Sequence, residues 1–452
     1  MANQLLTISM ITNRALPILA NSCVLTDKFN RQYDKEFAVR GQKIGGTCNV
    51  RLPPRFIGTF GPALSVEPSV ENYVPVSILY QFHVDLQFST INLALDIDEF
   101  ERRFIAPAVA AIGNRVDSDG AYFAFQNTAQ VGGTFGTPPT SYLAFALARA
   151  VLVSEGMPKG EMPSVVVHPI AMAYMGDSLK GLFNPQARIS DIYETGMMAK
   201  KTAGFDWFED PNIAAYQTGT LTGTPVLAGA TSATGGSALL AAGWAQSGIF
   251  NITGLTNSAN QVVVGDTLQL NKVFPTNPQN RGQYGSALKQ FVVLPPAGYA
   301  QITGPATPGG PQFAPATLAA GTFNALTGQY TSSVTGTLSV TVADALIYGG
   351  QFQNSSNAPV APYGITVNGG AGVGTSSAQH LAFHRDAFAL AFVDLPLPRA
   401  GVEASRAFDE DLGLSIRILT AYTPNNDSEP TRADIAYGFS SLYRSLGYRI
   451  AG

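Results

Sequence analysis

From Tyr73 to Phe88 apolar and polar residues alternate: Val74, Val76, Ile78, Tyr80, Phe82, Val84, Leu86 and Phe88 share one parity. A period of two marks a half-buried β-strand, because successive side chains point to opposite faces. Residues 46–52 are also strand-like and stop at Pro53-Pro54, and an irregular stretch rich in Gly and Pro, 56–68, lies between. The pattern predicts a protruding hairpin with an extended tip. Two strands alone are marginally stable, so this hairpin must lean on something.

Elsewhere the period changes to that of helices. Leu5, Ile8, Ile11 and Ala15 predict a helical turn that Pro17 ends. Asp96 opens a longer helix as its N-cap, with Glu99 completing a capping box. Phe100, Phe104, Ala108, Ala111 and Ile112 form its apolar stripe, and Pro107 kinks it or marks a segment boundary. A second helix is predicted over 141–154, stopped by Gly156 and Pro158. Val165, Val166 and Val167 form a buried strand feeding a helix over 170–182, and 204–211 is a strand carrying Phe205 and Trp207. Toward the end, 414–422 predicts a strand, 423–430 a polar turn, and a last strand lies near 435–439.

Residues 213–379 differ from everything around them. They carry five charged side chains, Asp266, Lys272, Arg281, Lys289 and Asp344, whereas the 31 acidic and 27 basic residues of the whole chain fall mostly outside. Short Val, Ile and Leu runs set among Thr and Gly predict a small barrel or sandwich with long loops. Flanked by α/β-like sequence on both sides, the stretch suggests one domain inserted into another. It has no fixed repeat.

Composition narrows the function. A charged fraction of 13% is about half the usual share. So few charges hint at a chain that ends inside an assembly. A net charge of −4 gives no basic footprint for sequence-specific nucleic-acid binding. Cys23 and Cys48 are too few for a disulfide framework and fit a reduced, cytoplasmic setting. Residues 15–20 mimic an export signal only superficially, lacking a basic n-region and interrupted at Pro17. No stretch approaches the roughly 20 apolar residues of a membrane span.

Candidate chemistry dissolves on inspection. Gly176-Asp177-Ser178-Leu179 spells a hydrolase signature, but it lies mid-chain in a helical pattern with no late Asp-x-x-His. His83/Asp85 and the His384-Arg385-Asp386 run offer too few ligands for zinc. Residues 369–374 miss the dinucleotide-binding spacing and read as a flexible connector. Asn251-Ile252-Thr253 is a formal sequon without consequence in a cytosolic setting. The acidic groups Asp98/Glu99 and Asp409/Glu410/Asp411 fit solvated caps. No catalytic residue, metal ligand or cofactor site is expected.

The ordered elements resemble something specific. An arm, a protruding two-stranded loop, a long helix opening at Asp96-Ile97-Asp98-Glu99-Phe100, an α/β core, a β-rich insert and terminal strands are similar to the major capsid (coat) protein of tailed bacteriophages. Ala203-Gly204-Phe205-Asp206, Val264-Gly265-Asp266-Thr267 and the run from Leu381 to Leu390 look like the P-twenty-two branch of that HK-ninety-seven-like family. The resemblance implies an α+β phage major-capsid fold with an inserted all-β, barrel-like domain. It divides the chain into an N-terminal arm (1–40), an extended loop (41–95), a spine helix and peripheral domain (96–140), an axial domain (141–212), the insert (213–379) and a return (380–452).

Its implied function is a shell of pentamers and hexamers forming an icosahedral head around double-stranded DNA, assembled in the host bacterial cytoplasm. The implied partners are copies of itself, a scaffolding protein, a portal protein, a cement protein and non-specifically held DNA, with no membrane. We expect Arg51, Arg55, Glu67 and Glu71 to contact the adjacent subunit. The best-known relative joins capsomers through charged insert loops, a role that this charge-poor insert puts in doubt. An encapsulin-like nanocompartment shell and a hydrolase built on Ser178 are the alternatives.

Overall fold

The computed structural model describes residues 12, 15, 19, 23–31, 47–89, 106–179, 196, 198, 201–219, 221, 223–228, 244–255, 261–296, 323–324, 329–331, 337–357, 363–368, 376–398, 402–409, 414–422 and 428–452. Most of the expected turn at 4–15, the helix start at Asp96 with Glu99, Glu410 and Asp411, the glycine run 369–374 and the turn at 423–427 lie outside them. The chain divides into two compact units. One comprises Met1–Val50, Tyr73–Gly120 and Phe388–Leu442, the other Arg51–Asn72, Ala121–Ala387 and Tyr443–Gly452.

The first unit is built on an antiparallel sheet. Strand Ser428–Ser441 pairs with Tyr80–Ser89, Leu414–Thr420 and Phe388–Phe392, and Glu403–Asp409 extends the sheet beyond Leu414–Thr420. The alternation from Tyr73 to Phe88 resolves into two strands, Asn72–Ser77 and Tyr80–Ser89. Val74, Val76 and Ile78 are buried, while the odd-numbered residues between them are more open. Asn72–Ser77 pairs with Thr47–Leu52, so the predicted ribbon forms. It leans on the sheet. Ser440 Oγ donates to Pro75 O at 2.9 Å, and a Cβ added to Gly438 would stand 2.0 Å from Ser77 O, so only glycine permits this approach.

Two expectations need correction here. Residues 428–430 are strand rather than turn, and the expected strand at 435–439 is interior to Ser428–Ser441. Pairing along the whole of Tyr80–Ser89 overrides local turn chemistry, and Pro430 O still accepts from Ala421 N at 3.2 Å. The last strand of the chain is Gly447–Ala451.

Helix α1, Ala106–Asn127, has Pro107 in the first turn described, where proline marks a boundary and its missing N–H costs nothing. Val109, Ile112 and Val116 are fully buried along one stripe.

The second unit has a mixed sheet in the order Val131–Gly133, Gly447–Ala451, Ser376–Phe383, Ser164–Val167, Asp206–Glu209, with Ala215–Gln217 also on Ser376–Phe383. Helices α2, Tyr142–Ser154, and α3, Pro169–Leu179, share one core with it: Phe145, Leu152, Met172, Val165, Trp207 and Ile450. Ser141 caps α2, its Oγ accepting from Leu143 N at 3.2 Å. The Phe145 and Trp207 rings lie 4.7 Å apart.

The charge-poor stretch is β-rich, as its composition predicts. Among the described residues its strands form three small sheets: Gln290–Val292, Thr267–Leu270 and Ile365–Asn368; Thr337–Ala343, Ser247–Leu255 and Gly223–Leu227; Gln261–Val263, Gln329–Thr331 and Phe323–Asn324. Phe250, Ile252, Leu268, Phe291, Val340 and Val342 anchor a core distinct from that beneath α2 and α3. Polar groups join the two. Gln290 bonds both ways with the backbone of Val131, at 2.6 and 3.1 Å, and Asn277 Nδ2 donates to Ser154 O at 2.6 Å. Arg444 donates to Gln246 O at 2.8 Å and pairs with Asp344 at 3.2 Å.

Candidate assembly surface

Between Leu52 and Asn72 the chain leaves the ladder altogether. Pro53, Pro54, Pro62 and Pro68 fix φ and remove donors, and Gly58 and Gly61 take positive φ, so this sequence favours an extended loop over a longer hairpin. Its shape comes from a few polar contacts. Glu67 reaches across the loop and accepts from Ile57 N at 2.7 Å and Gly58 N at 2.6 Å, a charge-assisted pair that fixes the fold-back. Arg51 and Glu71 meet at 3.5 Å at the loop's base.

The loop also rests on residues 349–352 of the same unit. Gln351 Nε2 donates to Pro68 O at 2.9 Å, and the Arg55 guanidinium lies 5.9 Å from the centre of the Phe352 ring. An open cleft of about 470 Å³ lies here, lined by Ile57, Glu67, Val70, Gly350 and Phe352 among others.

Of the four residues expected at the surface, Arg51 and Glu71 are brought together, Glu67 serves the loop's own backbone, and Arg55 turns to Phe352. What the charges leave open is apolar. Phe56 and Phe60 are exposed, as are Leu64 at 92% and Val66 at 83%. Soluble proteins seldom leave four large apolar groups uncovered on one loop. The sequence signal for the apolar tip is large side chains set among prolines and glycines. Nothing local in the sequence marked residues 349–352 as the loop's support.

The remaining candidates take ordinary places. Ser178 lies within α3, with no strand-to-helix turn beneath it. His83 and Asp85 face each other at 3.2 Å, and His384 Nδ1 lies 3.5 Å from Asp386. Among the described residues no group of three His, Cys, Asp or Glu could hold a metal ion, and no helix is long and apolar enough to cross a membrane. Of the insert's five charges, Asp266 is buried, Asp344 pairs with Arg444 and burial pushes the Lys289 amine down, while Lys272 is exposed.

Comparison with known proteins gives the class. Residues 6–299 match the family described as P22 coat protein, gene protein 5. The match spans well over half of the chain, which therefore belongs to the P22 coat protein family. It is a phage capsid protein, structural and non-enzymatic, and its place is the capsid of the virion.

A search of curated proteins gives no match. Among solved structures the chain is similar to Mycobacterium phage Che8, with a TM-score of 0.40 and 10% identity over 95% of this chain and 90% of that one. It is also similar to the asymmetric unit of the bacteriophage PhiM1 mature capsid, with a TM-score of 0.38 and 7% identity over 93% and 87%. The capsid structure of Cyanophage P-SCSP1u gives 0.36 and 8% over 91% and 85%. The family assignment rests on the sequence match, not on these superpositions.

Proposed function

We propose that copies of this chain assemble as pentamers and hexamers into the icosahedral head shell that encloses a phage double-stranded DNA genome. Assembly takes place in the host bacterial cytoplasm around a scaffolding protein, with a portal protein at one vertex and a cement protein outside. The observation that supports this reading most is the loop tip. Phe60, Leu64 and Val66 stand in solvent on a loop that Glu67 folds back on itself, so their burial has to come from a neighbour. Shells repeat such contacts many times, and the summed burial supplies the stability. A net charge of −4 suits a container that must take in and release DNA without gripping phosphate.

The inserted β-rich stretch and the outer face of Arg51, Arg55, Glu67 and Glu71 are the surfaces we assign to contacts with adjacent subunits. The test is electron microscopy of the purified full chain, alone and with the product of its upstream gene, beside a Phe60→Ser, Leu64→Ser double variant. Wild type should close regular shells and the double variant should stay a folded, unassembled subunit. Regular shells from the double variant would refute the loop's role. No shells from wild type with its upstream partner would refute the shell reading.

A further inference from the structure

We propose that Asp266 is a proton-operated joint that sets how firmly the β-rich stretch is seated on the mixed sheet, tightening as it takes up a proton and easing as it ionises.

The geometry comes first. Asp266 is fully buried on the turn after strand Gln261–Val263, and its contacts reach back to the segment by which the stretch joins the mixed sheet. Its Oδ1 accepts from the Tyr216 hydroxyl at 2.8 Å, and Tyr216 belongs to the strand laid on Ser376–Phe383. Gly219 N donates to both oxygens at 3.1 Å, and Val263 N to Oδ2 at 2.7 Å. From the mixed sheet, buried Arg449 grips the two residues flanking Asp266, donating to Gly265 O at 2.9 Å and to Thr267 Oγ1. Its guanidinium lies 5.9 Å from the centre of the Phe125 ring, and a Cβ on Gly265 would stand 2.5 Å from that same ring. The groups around the carboxylate are therefore the Tyr216 hydroxyl and two backbone amides in contact, with the Arg449 cation acting on it from the flanking residues. The buried carboxylate thus ties the strand that leads in to the inner turn, and Arg449 ties that same turn to the core sheet.

Protonation keeps the carboxyl joined to Tyr216 but reverses that bond. A proton from solvent on Oδ1 can be donated to the Tyr216 oxygen, because a phenol accepts as well as it donates, while the Tyr216 O–H rotates off Oδ1. The two amides keep their carboxyl oxygens, and the cost of holding a charge away from water is gone. The chemistry agrees with the geometry. Burial raises Asp266 to about 6, against the hydrogen bonds of Val263, Tyr216 and Gly219 and the field of Arg449, which all pull it down. A carboxyl raised in the seated state binds its proton more readily there than in the loosened one. Seating therefore strengthens as pH falls through about 6 and levels off below the ordinary carboxylate value near 4.

Hydrogen exchange of the full chain, corrected for intrinsic rates, tests this at about pH 7.5 and about pH 5. Peptides covering 215–219 and 261–267 should gain about tenfold protection at the lower pH, with no matching step in strand Phe388–Phe392. Asp266→Asn, a neutral isostere that can donate to Tyr216, should hold the higher protection at both pH values. Equal protection of 261–267 at both pH values in wild type overturns the proposal, as does an Asp266→Asn variant that keeps the wild-type step. If that variant fails to fold, the wild-type comparison decides alone.

Discussion

Thr26 and Asp117 meet through two hydrogen bonds of 2.8 Å, the Thr26 amide and its Oγ1 both donating to Asp117 Oδ1. Val24 N and Leu25 N donate to the other oxygen at 3.2 and 3.3 Å, so one buried carboxylate on α1 satisfies a whole turn of the N-terminal segment. Phe29 then seats beside Phe388 and Phe439, with ring centres at 5.3 and 6.2 Å. Asp117→Ala leaves three amides, two of them buried, without an acceptor. We expect a loss of about 3 kcal/mol or more, read as a lower urea midpoint of the first unit. Thr26→Val removes one of four bonds and should cost about 1 kcal/mol. Equal midpoints for Asp117→Ala and wild type would show that the segment is held elsewhere.

The Arg51–Glu71 pair is 81% and 61% exposed, so it adds little to the stability of a free subunit. Charge reversal at Arg51 and Arg55 together should leave the unfolding midpoint within about 0.5 kcal/mol and still block or distort shells. The swap Arg51→Glu with Glu71→Arg separates two roles. If the pair only closes its own loop, the swap restores assembly. If each charge meets a different group on a neighbour, the swap fails like the Arg51, Arg55 reversal. Assembly yield by sedimentation distinguishes them, and normal heads from the Arg51, Arg55 reversal would remove both residues from the interface.

Much of the fold was legible because local chemistry and tertiary demand agree. Ser141 caps α2 where the Ser followed by an apolar run predicts a start, and Val165 to Val167 are buried where three valines predict a buried strand. The alternation from Val74 to Leu86 carried the hairpin. The misses occur where partners distant in sequence decide. Ser428 to Pro430 have turn chemistry and became strand because residues near position 88 pair with them. Gly447–Ala451 is too short to announce itself, yet it lies between two strands of the mixed sheet. For the candidate surface the sequence offered charges, and their burial or pairing became visible only with the chain folded. Asp266 is the clearest case. It counts as one of five sparse charges in the sequence and becomes a buried junction once Tyr216 bonds it and Arg449 holds the neighbouring Gly265.

His380 predicts an acid response opposite in sign to that of Asp266. It is buried in the mixed sheet, its Nδ1 accepts from His168 N at 3.2 Å, and burial followed by the nearby His168 pushes it down to about 4. A histidine held below its unfolded value of about 6.5 is neutral in the fold, so folding releases its proton. The stabilisation is whole above about pH 6.5 and is lost as pH falls toward about 4, by up to about 3 kcal/mol. His380→Gln keeps an acceptor for His168 N and removes the titration, so its urea midpoint should change less between about pH 7 and about pH 4.5. An identical pH dependence in wild type and variant would assign the acid loss to other groups. Because Asp266 gains over part of the same range, global unfolding sees only the difference, and local exchange is needed to read the joint.

Phe291 tests whether the β-rich stretch is stabilised by its own core. The side chain is buried, packs 5.1 Å from Phe250 ring to ring, and sits on the strand paired with Thr267–Leu270. Phe291→Ala removes a large apolar group from a close-packed interior, a change that costs about 3–5 kcal/mol. The cluster containing Phe291 shares no residue with the one containing Phe145 and Trp207, so the loss should be local. Hydrogen exchange should report faster opening of strands Ser247–Leu255 and Thr337–Ala343, while Ser164–Val167 and the core under α2 keep their protection. Loss of protection in Ser164–Val167 by the same factor would mean that the two cores open as one cooperative body. In that case the polar groups between them, Gln290 with Val131 and Arg444 with Asp344, couple the cores as firmly as apolar contact would.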